Sequence, residues 1–351
     1  MPTSVPGSCD RQRGMAVISA LLVVAAVTMI VASLLQRQDT FLRAVQAAQT
    51  RAQAQAVLEA GLGLARQLLR EDSRRQAATR ADGDWAAPII DTRLQPPGRD
   101  TAFVGRLEDE QGKFNLRNLV FEGRLHQDGV EELLRLCALV GVAPEVGVAI
   151  AQRMLDSQPG AASGAVLPAP RSLEELAGVA GVDAAVLARL RRHVTVLPRV
   201  TLVNVNTASA EVIAARVPGM SLEQARAMVA QRDGGLWFVN QGDFANRLAS
   251  ASGATQAAGA DTRGNTSGNA SGNASGNASG NASGNTRGNA GGNASGDAPV
   301  PAPQAPRVAV ASGWFTLTGA ARLGGAILPL KVLLARTSDG ASRIVWSREG
   351  A

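Results

Sequence analysis

Met15 to Leu35 reads MAVISALLVVAAVTMIVASLL, a run of 21 residues that contains no charged residue, no proline and no glycine. At about 1.5 Å per residue, a helix of this length rises roughly 32 Å, which is enough to cross the hydrocarbon core of a bilayer. Arg11 and Arg13 precede the run and Arg37 follows it. Because the larger positive cluster stays in the cytoplasm, we expect a single-pass helix with a short cytoplasmic N-terminus and the bulk of the chain on the far side.

The alternative for this run is a cleaved secretory signal peptide. Val31-Ala32-Ser33 would then form a poor small-residue cleavage site. The apolar region of a signal peptide is only about 7–15 residues long, and the run here is longer. Its length therefore favours a transmembrane helix that is retained in the mature protein.

The helical pattern continues beyond the apolar run. Residues 36–73 contain no proline, and they carry an apolar stripe at steps of four, three and four residues: Leu58, Leu62, Ala65 and Leu69. This spacing predicts one long helix that is membrane-embedded in residues 15–35 and amphipathic in residues 36–73. A simple anchor needs no such extension, whereas a subunit that packs helix against helix does.

The composition of the 351 residues excludes several classes of protein. The chain has 35 basic and 29 acidic side chains, a net charge of +6, and a length that allows two or three domains. Its only cysteines are Cys9 and Cys137, and its only histidines are His126 and His193. These numbers exclude a disulfide framework and a CxxC zinc site, and they disfavour a histidine-based hydrolase. We therefore expect no enzymatic activity.

The two ends of the remaining sequence predict the halves of one β-sheet. Phe103 to Leu107 alternates as a strand does, and Asp339-Gly340 is a strong hairpin signal. Three strands are predicted near the C-terminus, at 314–318, 327–335 and 343–347. Strands this short are not stable alone. We expect a sheet that begins in residues 74–127 and is completed by residues 307–351.

The sequence between these halves predicts helices. Asp128 is a candidate N-cap, and two segments fit the capping box: Ser172-Leu173-Glu174-Glu175 and Ser221-Leu222-Glu223-Gln224. We divide the region into helical subdomains at 128–198 and 199–248. The predicted fold is thus α+β: a long N-terminal helix packs on a small antiparallel sheet, and a large all-α domain is inserted in the sheet.

Residues 249–306 are of low complexity. Glycine recurs at every fourth residue from Gly264 to Gly296, mostly followed by asparagine, and hardly any apolar side chain is larger than alanine. Such a segment cannot bury enough apolar surface to offset the entropy of ordering. We predict a disordered Gly/Asn/Ser-rich insertion.

The second helical subdomain also resembles a helix-hairpin-helix, a motif that can present backbone N–H groups to phosphate. Three arginines are candidates for phosphate contacts: Arg216, Arg226 and Arg232. Three carboxylates are interleaved with them: Glu211, Glu223 and Asp233. This mixture dilutes any basic stripe, so nucleic-acid binding is disfavoured. A membrane-anchored helix-hairpin-helix receptor for DNA binding or uptake remains the alternative function.

Several stretches resemble a known family. Arg13-Gly14-Met15-Ala16-Val17-Ile18-Ser19, together with the apolar run, looks like a type IV prepilin leader and its processing site. EAGLGLARQLLREDSRR at 59–75, EDEQGKFNLRNL at 108–119 and the segment 201–248 resemble the K-type minor pseudopilins of type II secretion systems. Because all of these stretches occur in this order along the chain, the chain is identified by resemblance as a member of that family.

The resemblance implies how the N-terminus is processed. A prepilin peptidase would cut between Gly14 and Met15, remove residues 1–14 as a leader and methylate the new N-terminus at Met15. Most type IV pilin-like proteins carry glutamate at the fifth mature position, which here is Ser19. This departure is itself similar to the K-type subunits.

The resemblance also implies a place of action. The chain would be a structural subunit of the inner membrane, at the tip of the periplasmic pseudopilus, and would prime pseudopilus assembly for the export of folded proteins. Its partners would be the I- and J-type minor pseudopilins and the major pseudopilin filament. No cofactor is required for chemistry.

Glu108, Asp109 and Glu110 are weak candidates for calcium ligands. Calcium takes oxygen ligands without needing histidine or cysteine, and K-type pseudopilins are associated with calcium. The sequence shows no EF-hand spacing. The alternative interpretation is a solvated strand end followed by a turn.

Overall fold

The computed structural model describes residues 10–91, 101–158, 167–260, 307–323, 326–337 and 339–350. The chain forms two compact units. We call the first, residues 1–76, 82–109 and 313–351, the sheet unit, and the second, residues 77–81 and 110–312, the helical unit. The first nine residues of the predicted leader, the repeat in residues 261–306, and Gly324 and Gly325 lie outside the described residues.

The α-helices of the described chain are α1 Asp10–Arg75, α2 Gln127–Leu139, α3 Pro144–Leu155, α4 Ala184–Leu190, α5 Ala210–Arg216, α6 Leu222–Asp233 and α7 Gln241–Ala260. Short 3-10 helices occur at Asp84–Ala86, Glu110–Gly112, Leu116–Leu119 and Leu173–Leu176. The strands are β1 Ile89–Asp91, β2 Thr101–Asp109, β3 Phe114–Asn115, β4 Val120–Phe121, β5 Arg124–Leu125, β6 Val194–Thr195, β7 Trp314–Leu323, β8 Ala326–Arg336 and β9 Ser342–Glu349.

Helix α1 runs without interruption through the predicted membrane span and its extension. The apolar part is long enough to cross a membrane, and none of it is buried. The extension buries one stripe against the sheet, including Ala54, Leu58, Ala65 and Leu69. The predicted long helix with an amphipathic second half is therefore confirmed.

The sheet unit contains a five-stranded antiparallel sheet in the order β1-β2-β7-β8-β9. Because side chains alternate along a strand, every second residue faces α1. Phe103, Leu107, Phe315, Leu317 and Val332 form this inner face and are at most 1 % exposed. The predicted sheet, started before the helical region and completed at the C-terminus, is confirmed.

Gly61 allows α1 and the sheet to approach closely. A Cβ atom built on this residue would overlap the aromatic ring of Phe103. Glycine in a helix costs about 1 kcal/mol relative to alanine. The cost is offset here because the Phe103 ring fills the space that a side chain would occupy.

The helical unit has one hydrophobic core rather than two. Leu136 of α2, Ile150 of α3, Ile213 of α5 and Phe238 after α6 all belong to a single buried cluster. The two predicted helical subdomains, 128–198 and 199–248, therefore pack around a shared core. Apolar residues from both segments are needed to close the same core.

Two predicted boundaries are wrong. Residues 110–127 belong to the helical unit, although we assigned them to the sheet. Helix α7 continues to Ala260, although disorder was predicted from residue 249. Small residues such as alanine and serine carry little hydrophobic signal, which is why the end of α7 resembled the start of the insertion.

Two predicted helix starts are also corrected. The side chain that caps α2 is His126, whose Nδ1 accepts from the Gly129 amide, while Asp128 lies in the first turn. After Ser172 the chain forms only a 3-10 turn. Positive φ angles at Gly178 and Gly181 bend the chain soon afterwards. The capping box at Ser221 is confirmed, with both of its hydrogen bonds present.

We expect deletion of the repeat, residues 264–296, to change stability little. Loop-closure entropy grows slowly with length, so the shorter connection should raise the free energy of unfolding by about 1 kcal/mol at most. Thermal unfolding of the purified protein and secretion in cells would be measured, with a scrambled repeat of equal length as control. Loss of secretion at normal protein abundance, in the deletion only, would contradict the expectation.

Candidate functional site

The first functional feature is the uncovered apolar surface of α1. Met15 is 72 % exposed, and the large apolar side chains that follow it as far as Leu35 are also exposed. Beyond the predicted span, Phe41, Leu42 and Val45 remain uncovered as well. Single exposed apolar residues are ordinary, but a continuous helical surface of this size requires lipid or other helices.

Gly14, Met15 and Ser19 are all in α1, at the N-terminal end of this surface. Ser19 is exposed, one helical turn after Met15. The cleavage and methylation assigned to this segment stay predictions.

The acidic trio is not gathered into one site. Alternation along β2 leaves Glu108 exposed, whereas Asp109 is 6 % exposed. Glu110 is buried: it accepts from Thr195 Oγ1 at 2.6 Å and forms an ion pair with Lys113 Nζ at 3.2 Å. In the described parts of the chain, no group of three or more His, Cys, Asp or Glu side chains is arranged to hold a metal ion.

These positions do not fit a calcium ion held by the trio. The carboxylate of Glu110 has its negative charge balanced by Lys113 within the protein. Calcium binding itself stays a prediction of the family resemblance, without ligands assigned to it.

Asn204 joins distant segments within the helical unit, a role that sequence reasoning missed. Its backbone N–H donates to the Gln111 carbonyl at 2.8 Å. Its side-chain amide donates to the Thr79 carbonyl at 3.1 Å and to Ser312 Oγ at 2.7 Å, and its Oδ1 accepts from the Asn206 amide at 3.0 Å. Asn204 is fully buried, so these bonds are shielded from water. The only signal in the sequence is a pair of asparagines, each preceded by a valine.

Asn206 forms a second buried connection. Its Oδ1 accepts from the Phe238 amide and its Nδ2 donates to the Phe238 carbonyl, both at 2.9 Å. A single side chain thus satisfies both backbone groups of a residue 32 positions away, in the loop between α6 and α7.

Two of the three arginines considered for phosphate binding are used inside the protein. Arg216 Nη1 donates to Glu132 Oε2 at 2.6 Å. Arg232 Nη1 donates to the carbonyls of Val205 and Ala208, and this side chain is 6 % exposed. Of the three, only Arg226 lies on the exposed face of its helix. This arrangement does not present a basic surface to nucleic acid.

Glu132 depends on Arg216. Burial raises the pKa of the Glu132 carboxyl above its usual range, and the nearby guanidinium of Arg216 opposes this rise. Glu132 Oε1 and Arg216 Nε are buried without a hydrogen-bond partner. The pair is therefore a costly structural contact between α2 and α5, and an isolated Glu132 would be more costly still.

His193, Ser209 and Glu211 lie together but do not form a catalytic triad. Ser209 Oγ and Glu211 Oε2 both lie near the same ring nitrogen, Nδ1 of His193, at 3.0 and 3.9 Å. A triad needs the nucleophile and the acid on different nitrogens. Burial lowers the pKa of His193, and Ser209 is the N-cap of α5. The group is structural.

Cys137 is a buried thiol in the core of the helical unit. Burial raises its pKa to about 11. A thiol with so little thiolate near neutral pH is unreactive.

The chain is similar in sequence to known proteins. Two family models, both described as "Type II secretion system (T2SS), protein K", match residues 112–199 and 203–263. A relative from Pseudomonas aeruginosa, "Type II secretion system protein K", is 31 % identical over 271 residues, which cover 70 % of this chain and 79 % of the relative. The chain belongs to the type II secretion system protein K family.

A solved structure shares the fold of this protein K family member. It is the GspK-GspI-GspJ complex from the type 2 secretion system of enterotoxigenic Escherichia coli. The match has a TM-score of 0.57 and 16 % sequence identity, and it covers 88 % of this chain and 99 % of that chain. The likeness confirms the predicted α+β architecture.

Membership of the protein K family gives the chain a role in protein transport by type II secretion. The family match includes the helices that resemble a helix-hairpin-helix. The alternative, a DNA-uptake receptor, is therefore not supported. The match and the internal bonds of Arg216 and Arg232 together indicate that these helices have a structural role.

Proposed function

We propose that the protein is the minor pseudopilin at the tip of the type II secretion pseudopilus, where it primes assembly of the filament. The observation that carries this proposal is the uncovered apolar helix α1, joined to a small sheet and to a large inserted helical unit. The helix supplies a surface for assembly, and the helical unit supplies bulk that ordinary filament subunits lack.

The apolar helix supports an inner-membrane location before assembly. Residues 15–35 have the length of a membrane span, and the basic residues before them favour a cytoplasmic N-terminus. The bulk of the chain then lies in the periplasm. Prepilin peptidase would act on this membrane form between Gly14 and Met15.

The uncovered side chains beyond the span support helix packing in a filament. Phe41, Leu42 and Val45 lie about two to three turns after Leu35, outside the expected bilayer core. Their exposure is unfavourable in water and is relieved when neighbouring helices cover them. These neighbours would be the α1 helices of other pseudopilins.

The solved relative suggests which subunits those are. GspK assembles with GspI and GspJ in the crystal structure of that complex. We extend this to the present chain and expect the I- and J-type minor pseudopilins as its direct partners, with the major pseudopilin filament below them.

Ser19 supports a place at the end of the filament. A carboxylate within a bilayer costs about 2.5–3.5 kcal/mol unless it is paired. In most pilin-like proteins, the glutamate at this position is thought to meet the free amine of a neighbouring subunit. Serine has no charge, so a subunit carrying Ser19 does not need that amine.

The bulk of the helical unit supports the same place. A subunit within the filament must leave room for the next subunit to stack above it. The helical unit adds residues 77–81 and 110–312, more than half of the chain, to the pilin-like helix and sheet. A subunit of this size is more readily accommodated where nothing stacks above it. The proposed role is structural, without catalysis.

Immunogold labelling of overproduced pseudopili would test the tip position. We expect full-length protein at one end of each filament, and protein lacking residues 110–312 at positions along it, because the bulk that prevents stacking is gone. Labelling of the major pseudopilin serves as the control for access of the antibody. Even labelling of the full-length protein along the filament would rule out the tip.

A further inference from the structure

The face of the five-stranded sheet that points away from α1 carries a distinctive pattern. Phe103, Phe315 and Val332 point toward α1 and are buried. Their neighbours in sequence therefore point the other way. We call this second side of β2, β7, β8 and β9 the outward face.

A basic row crosses the outward face. The strand register pairs Arg106 with Thr318, Thr318 with Lys331, and Lys331 with Arg348. Neighbouring strands are about 4.8 Å apart, so this row of four residues is roughly 14 Å long. The guanidinium of Arg348 also lies over the Trp346 ring, 5.2 Å from its centroid.

Two further arginines extend the positive charge. Arg322 is two residues from Ala320 and four from Thr318 along β7, and Arg343 pairs with Ala335 at the far end of β9. Both are exposed. The outward positions of the four strands thus carry five cations, Arg106, Arg322, Lys331, Arg343 and Arg348, against one carboxylate, Glu108. The net charge of these outward positions is therefore +4, in a chain whose net charge is +6.

An apolar row lies beside the basic row. Ile90 pairs with Val104, Val104 with Ala320, and Ala320 with Pro329. Ile90 is 68 % exposed, and Ile327, next to this row, is 63 % exposed. Exposed apolar side chains flanked by cations are typical of a protein interface, in which charges select the partner and apolar contacts add affinity.

We propose that the outward face docks an acidic surface of another folded protein. The proposal goes beyond the role at the filament tip, which rests on α1 and on the helical unit. The charge of the face determines the class of partner, because a net positive surface attracts a negative one and repels a positive one.

A lipid headgroup is a poor partner for this face. Phe103 packs at Gly61, which is 26 positions after Leu35, the last residue of the apolar run. That separation corresponds to about 39 Å along a helix. The Debye length at physiological ionic strength is about 8 Å, so the charge of the bilayer is screened at this height. Arg106 lies three residues after Phe103 in β2.

Other parts of the same chain are also poor partners. A second copy carries the same net charge of +6 and the same basic face. Residues 261–306 contain two acidic and two basic side chains, and residues 92–100 contain two arginines and one aspartate. None of these provides an acidic surface, which leaves a different protein.

Binding of a defined acidic probe tests the proposal. Full-length protein in nanodiscs of zwitterionic lipid would be titrated with fluorescent oligoglutamate, with oligoglutamine of equal length as the neutral probe. The face variant R106E/K331E/R348E would be compared with R124E/R192E/R226E, three exposed arginines of the helical unit. Both variants change the net charge by the same amount.

We expect the face variant to bind oligoglutamate about tenfold more weakly, and the control variant to bind within about twofold of the wild type. The charge-conserving variant R106K/K331R/R348K should retain binding, and unchanged thermal unfolding would show that each variant is folded. The face variant should still assemble with the I- and J-type subunits, which separates this result from the proposed tip function.

Equal loss of binding in the face and control variants would show general charge attraction and overturn the proposal. Unchanged binding in the face variant would also overturn it. Tighter binding to phosphatidylglycerol vesicles than to oligoglutamate, lost in the face variant, would identify a lipid site and overturn it as well.

Discussion

Replacing Gly14 by aspartate is expected to leave the protein uncut, with residues 1–14 still attached. The resemblance to prepilins places the cut between Gly14 and Met15, where the residue before the cut must be small. Aspartate is larger and charged at the position where the membrane peptidase must approach the backbone. Mass spectrometry of the N-terminus, on protein recovered from membranes with active peptidase, would measure the processed fraction.

We expect the wild type to begin at N-methylated Met15, and we expect the processed fraction of Gly14→Asp to fall by about tenfold or more. Gly14→Ala keeps a small residue and serves as the matched control, which should be processed. An intact Met1 terminus in the wild type, or a start near Leu34, would contradict this prediction. The second of those outcomes would point to a signal peptide instead.

Asn204→Ala is expected to lower the free energy of unfolding of the helical unit by about 3 kcal/mol. The change removes the side-chain bonds to Thr79, Ser312 and Asn206 and leaves buried polar groups without partners. Each such group costs about 1–3 kcal/mol. Urea unfolding followed by tryptophan fluorescence would measure the change, with Trp237 as a probe in the helical unit.

Asn246→Ala provides the control for this prediction. Asn246 is exposed on α7, and surface substitutions of this kind usually change stability by about 0.5 kcal/mol or less. Equal stability of the Asn204→Ala variant and the wild type would mean that water replaces the lost bonds. The assignment of Asn204 as a buried connection would then be wrong.

The elements that sequence analysis predicted well are those set by local patterns. Helix α1 follows from an unbroken apolar run and a regular stripe, and the β8–β9 hairpin follows from Asp339-Gly340. The capping box at Ser221 uses residues three positions apart. In each case the physical cause lies within a few residues, so it can be recognised without knowledge of the fold.

The elements that were missed depend on contacts between distant residues. Glu110 looked like a cation ligand because its partners, Lys113 and Thr195, are not evident from the acidic trio. Arg216 looked available because Glu132 lies 84 positions before it. The single core of the helical unit was also not predictable, since no local pattern shows which helices share it.

The hydrogen bonds around Asn204 have a mechanical consequence. The chain passes into the helical unit at residues 77–81, again at 110, and leaves it at 312. Thr79 bonds to Val310 and Ser312, and Asn204 bonds to Gln111, Thr79 and Ser312. These hydrogen bonds join the places where the chain enters and leaves the helical unit. Tension at one of these places is therefore carried to the next by the hydrogen bonds. In the proposed role, a push or pull on α1 and its sheet would therefore bypass the helices of the inserted unit.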